Sequence, residues 1–227
     1  ASANDPILSN IQGDGKAALI AIDFSQRQRM RINGRAKVIE NGIEIQTEQV
    51  YANCKKYIQA RRIAPEWPHQ AARKKRALLA STSFVRLDQG QQSWIATTDT
   101  FFIASTHLQG GVDVSHRGGP PGFIRVLDDR SLLWPDYAGN SMFQTLGNLR
   151  ENSKSGLLFI NFETGQTMML SGETTMTWEN EDIAQLPGTE RCLRFMLNTG
   201  KVLDDAKPLR WIFENASTFN PATYTSA

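Results

Sequence analysis

Residues 8 to 34 and 146 to 172 read as two versions of one segment, LSNIQGDGKAALIAIDFSQRQRMRING and LGNLRENSKSGLLFINFETGQTMMLSG, aligned without a gap at an offset of 138. Nine of the 27 positions are identical, among them Asn10/Asn148, Lys16/Lys154, Phe24/Phe162 and Gly34/Gly172, and three more exchange only Ile for Leu. A period this long means repeated domains rather than a solenoid, whose units span about 20 to 50 residues. Residues 77 to 145, which precede the second version, have no counterpart ahead of the first. The sequence therefore predicts one complete copy and one half copy.

Two further features narrow the class. Apolar content of 40%, with 5 Trp, 11 Phe and 4 Tyr, suffices for a packed core. A net charge of +2 is too near neutral to steer the chain toward a polyanion. The longest apolar runs, such as Gly156 to Phe162, fall short of the roughly 18 residues of a membrane helix. The segment ASANDPILSN lacks the pattern of a secretory signal, so a cytoplasmic protein is expected. Cys54 and Cys192 stand alone, without the spacing of a zinc site or a disulfide framework, and no metal site is expected.

Strand-like segments bounded by turn residues cover Ala17 to Phe24, Arg29 to Val38, Gly42 to Val50, Thr100 to Ser105, Gly111 to Ser115, Gly122 to Leu127, Ser131 to Trp134, Ser155 to Phe162, Gln166 to Thr177 and Arg191 to Leu197. Helices are predicted at Tyr51 to Arg62, Gln70 to Ala80, Asp88 to Thr97 and Ser141 to Asn152, the last with Asn140 as its cap. The fold is mostly β, a barrel with a few helices that plug its ends. Three units follow: 1–60, the C-terminal half of a first repeat; 61–76, a linker rich in Pro and basic residues; and 77–227, a complete domain. The cluster Arg73, Lys74, Lys75 and Arg76 reads as a solvated helix face rather than a nucleic-acid patch.

Chemistry concentrates between Asp113 and Asn148. Ser115-His116-Arg117-Gly118-Gly119 ends a strand with a hydroxyl, two potential cations and two glycines that admit a ligand to the backbone, a combination suited to phosphate. Gly139-Asn140 opens a helix whose amides offer a second anion contact. Trp134, Pro135, Asp136 and Tyr137 supply two aromatics and a carboxylate beside which a flat heteroaromatic ring could lie. Taken singly, these are also a tight turn, a cap and a core Trp. Ser115 and His116 are neighbours on a strand and point to opposite faces, which rules out a Ser-His-Asp hydrolase with Asp136. No GxGxxG or GxxxxGK[ST] motif occurs.

The run from Asp113 through Gly165, with SHRGGPPGF, then WPDYAGN, then LGN in order, resembles the pyridoxamine 5'-phosphate oxidase-like family of FMN-binding split barrels. The likeness extends over roughly Ala77 to Trp211, and the first copy, through RMRINGRAKV and NCKKYIQ, is similar to the second half of the same domain. The resemblance implies a flavoprotein oxidoreductase with FMN at a barrel edge, its phosphate held by Ser115, Arg117 and Asn140, with His116, Arg125 and Thr145 nearby and the ring along Trp134 to Tyr137. Where the oxidase carries further basic residues, this chain reads FIRVLD and SMFQT. Heme and deazaflavin, bound by relatives of the barrel, are the other cofactors implied, and a non-catalytic carrier or sensor is the alternative to an enzyme. Such barrels pair, so the first copy is expected to pack on the complete barrel or on a second chain, as in a homodimer or with a separate N-terminal fragment. It would contribute Asn53, Lys56 and Tyr57 to the site. The match of Cys54 with Cys192 is expected to be accidental, the register slipping after the shared glycine.

Overall fold

The computed structural model describes residues 6–65, 81–139, 142–178, 186, 189–204 and 210–221. The chain opens with α1 (Pro6–Asp14), followed by β1 (Lys16–Asp23), β2 (Gln28–Ile39), β3 (Gly42–Asn53) and β4 (Ala60–Ile63). It continues through β5 (Ser81–Phe84), α2 (Gln89–Thr97), β6 (Thr100–Thr106), β7 (Val112–Gly118), β8 (Arg125–Val126), β9 (Ser131–Tyr137) and α3 (Gln144–Glu151). The last elements are β10 (Lys154–Ile160), β11 (Thr167–Thr177), β12 (Thr189–Leu203) and β13 (Trp211–Asn215). The fold is mostly β, as the alternation of apolar residues predicts.

The repeat is folded as one pattern used twice. Helix α1 corresponds to α3, β1 to β10 and β2 to β11, and the hairpins share a register: Ala17 faces Gly34 as Ser155 faces Gly172. Each second strand carries a β-bulge at the shared glycine, between Asn33 and Gly34 and between Ser171 and Gly172. A Cβ on Gly34 would strike the carbonyl oxygen of Gln46, and one on Gly172 that of Met196, so only glycine fits at either crossing. The hairpin turns also match. Gly165 has φ 77° and its counterpart Arg27 has φ 52°. A left-handed arginine is costly, and the Arg27 side chain offsets this with bonds to the Ile58 carbonyl at 3.0 Å and to Asn215 and Ala216.

Beyond the bulge the copies diverge. Gly34 faces Thr47, whereas Gly172 faces Leu197, so the third strands align at an offset of 150 instead of 138. The expected slip is present, and Cys54, just past β3, has no structural relation to Cys192 inside β12. In the second copy β12 goes on to pair with β9 and β5, within an eight-stranded curled sheet of order β7-β6-β10-β11-β12-β9-β8. In the first copy β1, β2 and β3 form a sheet of three strands.

The curled sheet closes over Trp134, Phe101, Phe123, Phe159, Phe195 and Met168, with Ile95 of α2 and Leu146 and Leu149 of α3 filling its ends. Helix α2 starts as the sequence predicts, with a reciprocal capping box between Asp88 and Gln91. The two copies meet at a second cluster. Phe24 and Phe162, identical positions of the repeat, touch edge to face at 5.2 Å, and Trp211 packs on both. Arg61 lies 4.1 Å above the Phe162 ring while its guanidinium holds Asp99 at 2.5 and 2.7 Å.

Several expectations need correction. Tyr51 to Arg62 is not helical: β3 runs to Asn53, Tyr57 has φ 63°, and Ala60–Ile63 forms a strand with Trp211–Asn215. The first residues of the expected linker thus belong to a ladder, and the expected helix Gln70 to Ala80 and the basic cluster lie outside the described residues. Helix α3 begins at Gln144, with Phe143 in the cap position and no side-chain cap bond, later than the expected start near Asn140. The expected strand Gly122 to Leu127 shrinks to Arg125–Val126.

Candidate functional site

A cleft of about 310 Å³ opens where β2 and the loop after β3 approach β7, the end of β9 and the start of α3. From the complete copy it takes Ser115, His116, Arg117, Pro135, Asp136, Tyr137 and Thr145, all anticipated from sequence. From the half copy it takes Lys56 and Tyr57, also anticipated, and Arg29 and Arg31, which were not. Arg191, Met142 and Phe143 complete the side that faces them.

Alternation along β2 aims Arg29 and Arg31 at one face. Arg31 enters the complete copy and is neutralised there: its guanidinium meets Asp113 at 3.0 and 3.1 Å and donates to Ser115 Oγ at 2.6 Å. Thr145 Oγ1 donates to the same carboxylate at 3.1 Å, and Tyr51 Oη lies 2.6 Å from Gln144 Oε1. On the far wall Asp136 bridges two cations, Arg117 at 2.9 Å and Arg191 at 2.8 Å.

Among the described residues Arg29 has no such carboxylate. Its guanidinium lies 2.7 Å from His116 Nδ1 and 3.5 Å from the His116 carbonyl. Burial, with Arg31 and Arg117 close by, pulls its pKa down to about 10, so it is still charged at neutral pH. Burial and the surrounding arginines drive His116 well below its ordinary range, which keeps it neutral and fixes Nδ1 as the acceptor from Arg29. The buried Nε atoms of Arg29, Arg31 and Arg117 lack hydrogen-bond partners among the described residues. Among the described residues, five cationic side chains, Arg29, Arg31, Lys56, Arg117 and Arg191, thus face two carboxylates, Asp113 and Asp136. An unmatched, part-buried charge such as that of Arg29 is costly unless an anion completes it.

One wall is aromatic. Tyr57 and Tyr137 stack with centroids 5.1 Å apart at 30°, and the Tyr57 hydroxyl donates to the Ala138 carbonyl at 3.0 Å. Gly118 permits the approach of the two copies here, since a Cβ would strike the Tyr57 carbonyl oxygen.

Three expected residues are placed elsewhere. Trp134 is fully buried in the barrel core, edge to face with Phe101 at 5.3 Å, and cannot form a platform for a ring. Arg125, on β8, does not line the cleft. Asn53 stands at the rim, its amide 3.7 Å from the Met142 sulfur. Asn140 lies outside the described residues. Arg29 and Arg31 were missed although the copies differ there: the second copy has Thr167 and Met169 at the same positions.

The sequence profile of the family described as pyridoxamine 5'-phosphate oxidase matches residues 87–216, more than half of the chain. The chain belongs to this family. No curated protein matches it. Among solved structures, it is similar to a putative pyridoxamine 5'-phosphate oxidase from Lactobacillus delbrueckii, at 12% identity over 52% of this chain and 94% of that one, with a TM-score of 0.43. It is also similar to HupZ of Group A Streptococcus, at 13% identity over 52% of this chain and 99% of that one, TM-score 0.42. A third is a Clostridium acetobutylicum protein related to general stress protein 26 of the pyridoxinephosphate oxidase family, at 12% identity over 53% and 89%, TM-score 0.35. Among the described residues no helix is long and apolar enough to cross a membrane.

Proposed function

We propose that the cleft binds FMN and that the protein is a flavin-dependent oxidoreductase. The observation that carries this reading is Arg29, a part-buried guanidinium whose only hydrogen-bond partner among the described residues is a neutral histidine. A phosphate would supply the missing anion, with Arg29, Arg31 and Arg117 as cations around it and the Ser115 hydroxyl, which accepts from Arg31, as a donor. Pro135, Tyr57 and Tyr137 give the flat wall that a heteroaromatic ring requires. Family membership supports the same cofactor class. Bound flavin would supply two-electron chemistry, while the protein contributes orientation and electrostatics.

His116 is the one described cleft residue whose ordinary pKa lies near neutrality, and it is buried, bonded to Arg29 and held neutral. It is therefore a positioning group for Arg29 rather than an acid or base. That favours a second reading, a non-catalytic flavin carrier, over any reaction that needs a proton from the protein. The same engagement of His116 makes it a poor ligand for heme.

Titration of the purified protein with FMN and with riboflavin, followed by flavin fluorescence, tests the assignment. FMN should bind more tightly than riboflavin, and Arg29→Ala should weaken FMN by about 10- to 100-fold, as loss of a charge-assisted hydrogen bond does, with riboflavin little changed. Equal affinity for the two flavins would reject the phosphate assignment, and no binding of either would reject the cofactor. Because burial and neighbouring cations favour its neutral form, Arg29 is charged only below about pH 10. FMN affinity should accordingly hold through pH 9 and fall as the pH passes 10. Reduction of the bound flavin by a nicotinamide donor with turnover separates an oxidoreductase from a carrier.

A further inference from the structure

A phosphate does not use up the positive charge of the cleft. Among the described residues five cations face two carboxylates, which leaves three charges uncancelled. A phosphate monoester brings about 1.5 to 2 negative charges at neutral pH. One cation therefore still lacks an anion once the flavin phosphate is seated.

The contacts single it out. Arg31 is spent on Asp113, and Arg117 and Arg191 share Asp136. Arg29, on the neutral His116, is the guanidinium that awaits the phosphate. Lys56 is different. Its half-buried ammonium lies 5.6 Å from the centre of the Phe219 ring and makes no ion pair or hydrogen bond among the described residues.

The backbone is bent to place it there. Consecutive side chains of an extended segment point to opposite sides, yet Lys56 and Tyr57 both line the cleft. The left-handed Tyr57, φ 63°, makes this possible. Such a conformation is costly for an aromatic residue and persists only where its surroundings impose it. Three bonds do so here: the Tyr57 amide donates to Ser217 Oγ at 3.2 Å, the Gln59 side-chain amide to the Tyr57 carbonyl at 3.0 Å, and the Tyr57 hydroxyl to the Ala138 carbonyl at 3.0 Å. Strain maintained in this way at a cleft wall points to a use for the side chains it presents.

On the flavin reading of the cleft, we propose that Lys56 binds the substrate rather than the cofactor, and that the substrate is a monoanion: a carboxylate on a flat body that lies against the flavin ring. Tyr57, one residue on, belongs to the wall where that ring is expected, so the ammonium stands on the ring side of the ligand. The half copy then sets both specificities of the cleft, Arg29 for the phosphate of the cofactor and Lys56 for the carboxylate of the substrate.

The test uses benzoate and its neutral isostere benzamide as probes of the full chain saturated with FMN, followed by the shift each causes in the visible absorbance of the bound flavin. Benzoate should bind about 10-fold more tightly than benzamide, the margin of a charge-assisted hydrogen bond. Lys56→Met, which keeps an unbranched stem against Phe219 and removes the charge, should weaken benzoate alone and bring the two probes together. Lys56→Arg should restore the preference. Equal affinities in the unaltered protein would overturn the proposal, as would a benzoate preference that survives Lys56→Met, or no shift with either probe. A protein that takes up no FMN fails earlier, in the titration with the two flavins, and removes the flavin reading and this substrate class together. Uptake of FMN without a benzoate preference removes the substrate class alone.

Discussion

The two copies of the repeat begin alike and end with different duties. Up to the bulged glycine they share helix, turn, register and the crossing that admits no side chain. Past it, only the second copy goes on to build a barrel core; the first turns to that barrel the face that carries Ile20, Ile22, Arg29 and Arg31, and so supplies cations to its cleft. The difference reduces to a few positions. Arg29 and Arg31 stand where the barrel copy has Thr167 and Met169, so one hairpin gives the cleft a basic wall and the other does not. Local structure recurs in both segments because it needs only local residues, whereas a site needs complementarity across the interface and can be present on one side alone.

Exchanges between the copies sharpen this contrast. The largest effect is expected for Arg31→Met, the residue at its counterpart, which strands Asp113 in the interior and should cost about 3–5 kcal/mol of stability in urea unfolding together with FMN binding. Conversion with retained stability would show that the Arg31–Asp113 pair contributes nothing to holding the two copies together. Next, Leu157→Ala should cost about 2–5 kcal/mol as a core truncation, while Leu19→Ala, at the equivalent but open position, should stay within about 0.5 kcal/mol. Equal losses would mean that Leu19 is covered in solution. Gly34→Ala and Gly172→Ala should each cost about 1–3 kcal/mol through forced displacement of the facing strand, with Gly172 the worse because the Phe195 ring also crowds it. The smallest effect belongs to the shared contact: a double-mutant cycle on Phe24 and Phe162 should return about 0.5–1.5 kcal/mol of coupling for an edge-to-face pair. A vanishing coupling would remove the aromatic contact from the list of forces that join the copies.

Much of this was legible in the sequence, for identifiable reasons. Hairpins such as β1 and β2 announce themselves by alternation, and α2 by its capping box. The loop from Ser115 to Tyr137 was recognisable because hydroxyl, cations, glycines and aromatics crowd one stretch. What escaped depended on distant partners. The roles of Arg29 and Arg31 become visible only when β2 meets His116, Asp113 and Ser115, more than eighty positions along the chain. Trp134 misled because β9 is buried on both faces, which erases the alternation that separates core from site. The segment Tyr51 to Arg62 has helical spacing, but the turn at Tyr57 and the pairing of Ala60–Ile63 with Trp211–Asn215 override it.

That last ladder has a consequence for the order of events when the chain folds. The loop bearing Lys56 and Tyr57 is fastened from far downstream: the Tyr57 amide donates to Ser217 Oγ across 160 positions, and the Gln59 side chain joins the Ser217 amide and Asn220. The early hairpins can close as soon as they are made, since their contacts are short-range, but the cleft cannot take shape until residues 211 to 220 have arrived. Synthesis therefore produces the basic strand first and its counterpart walls next, and residues 211 to 220 then fix the loop of Lys56 and Tyr57 in place. The cleft in this way waits on residues 211 to 220, and a chain clipped after β12 would keep its barrel and lose its cleft.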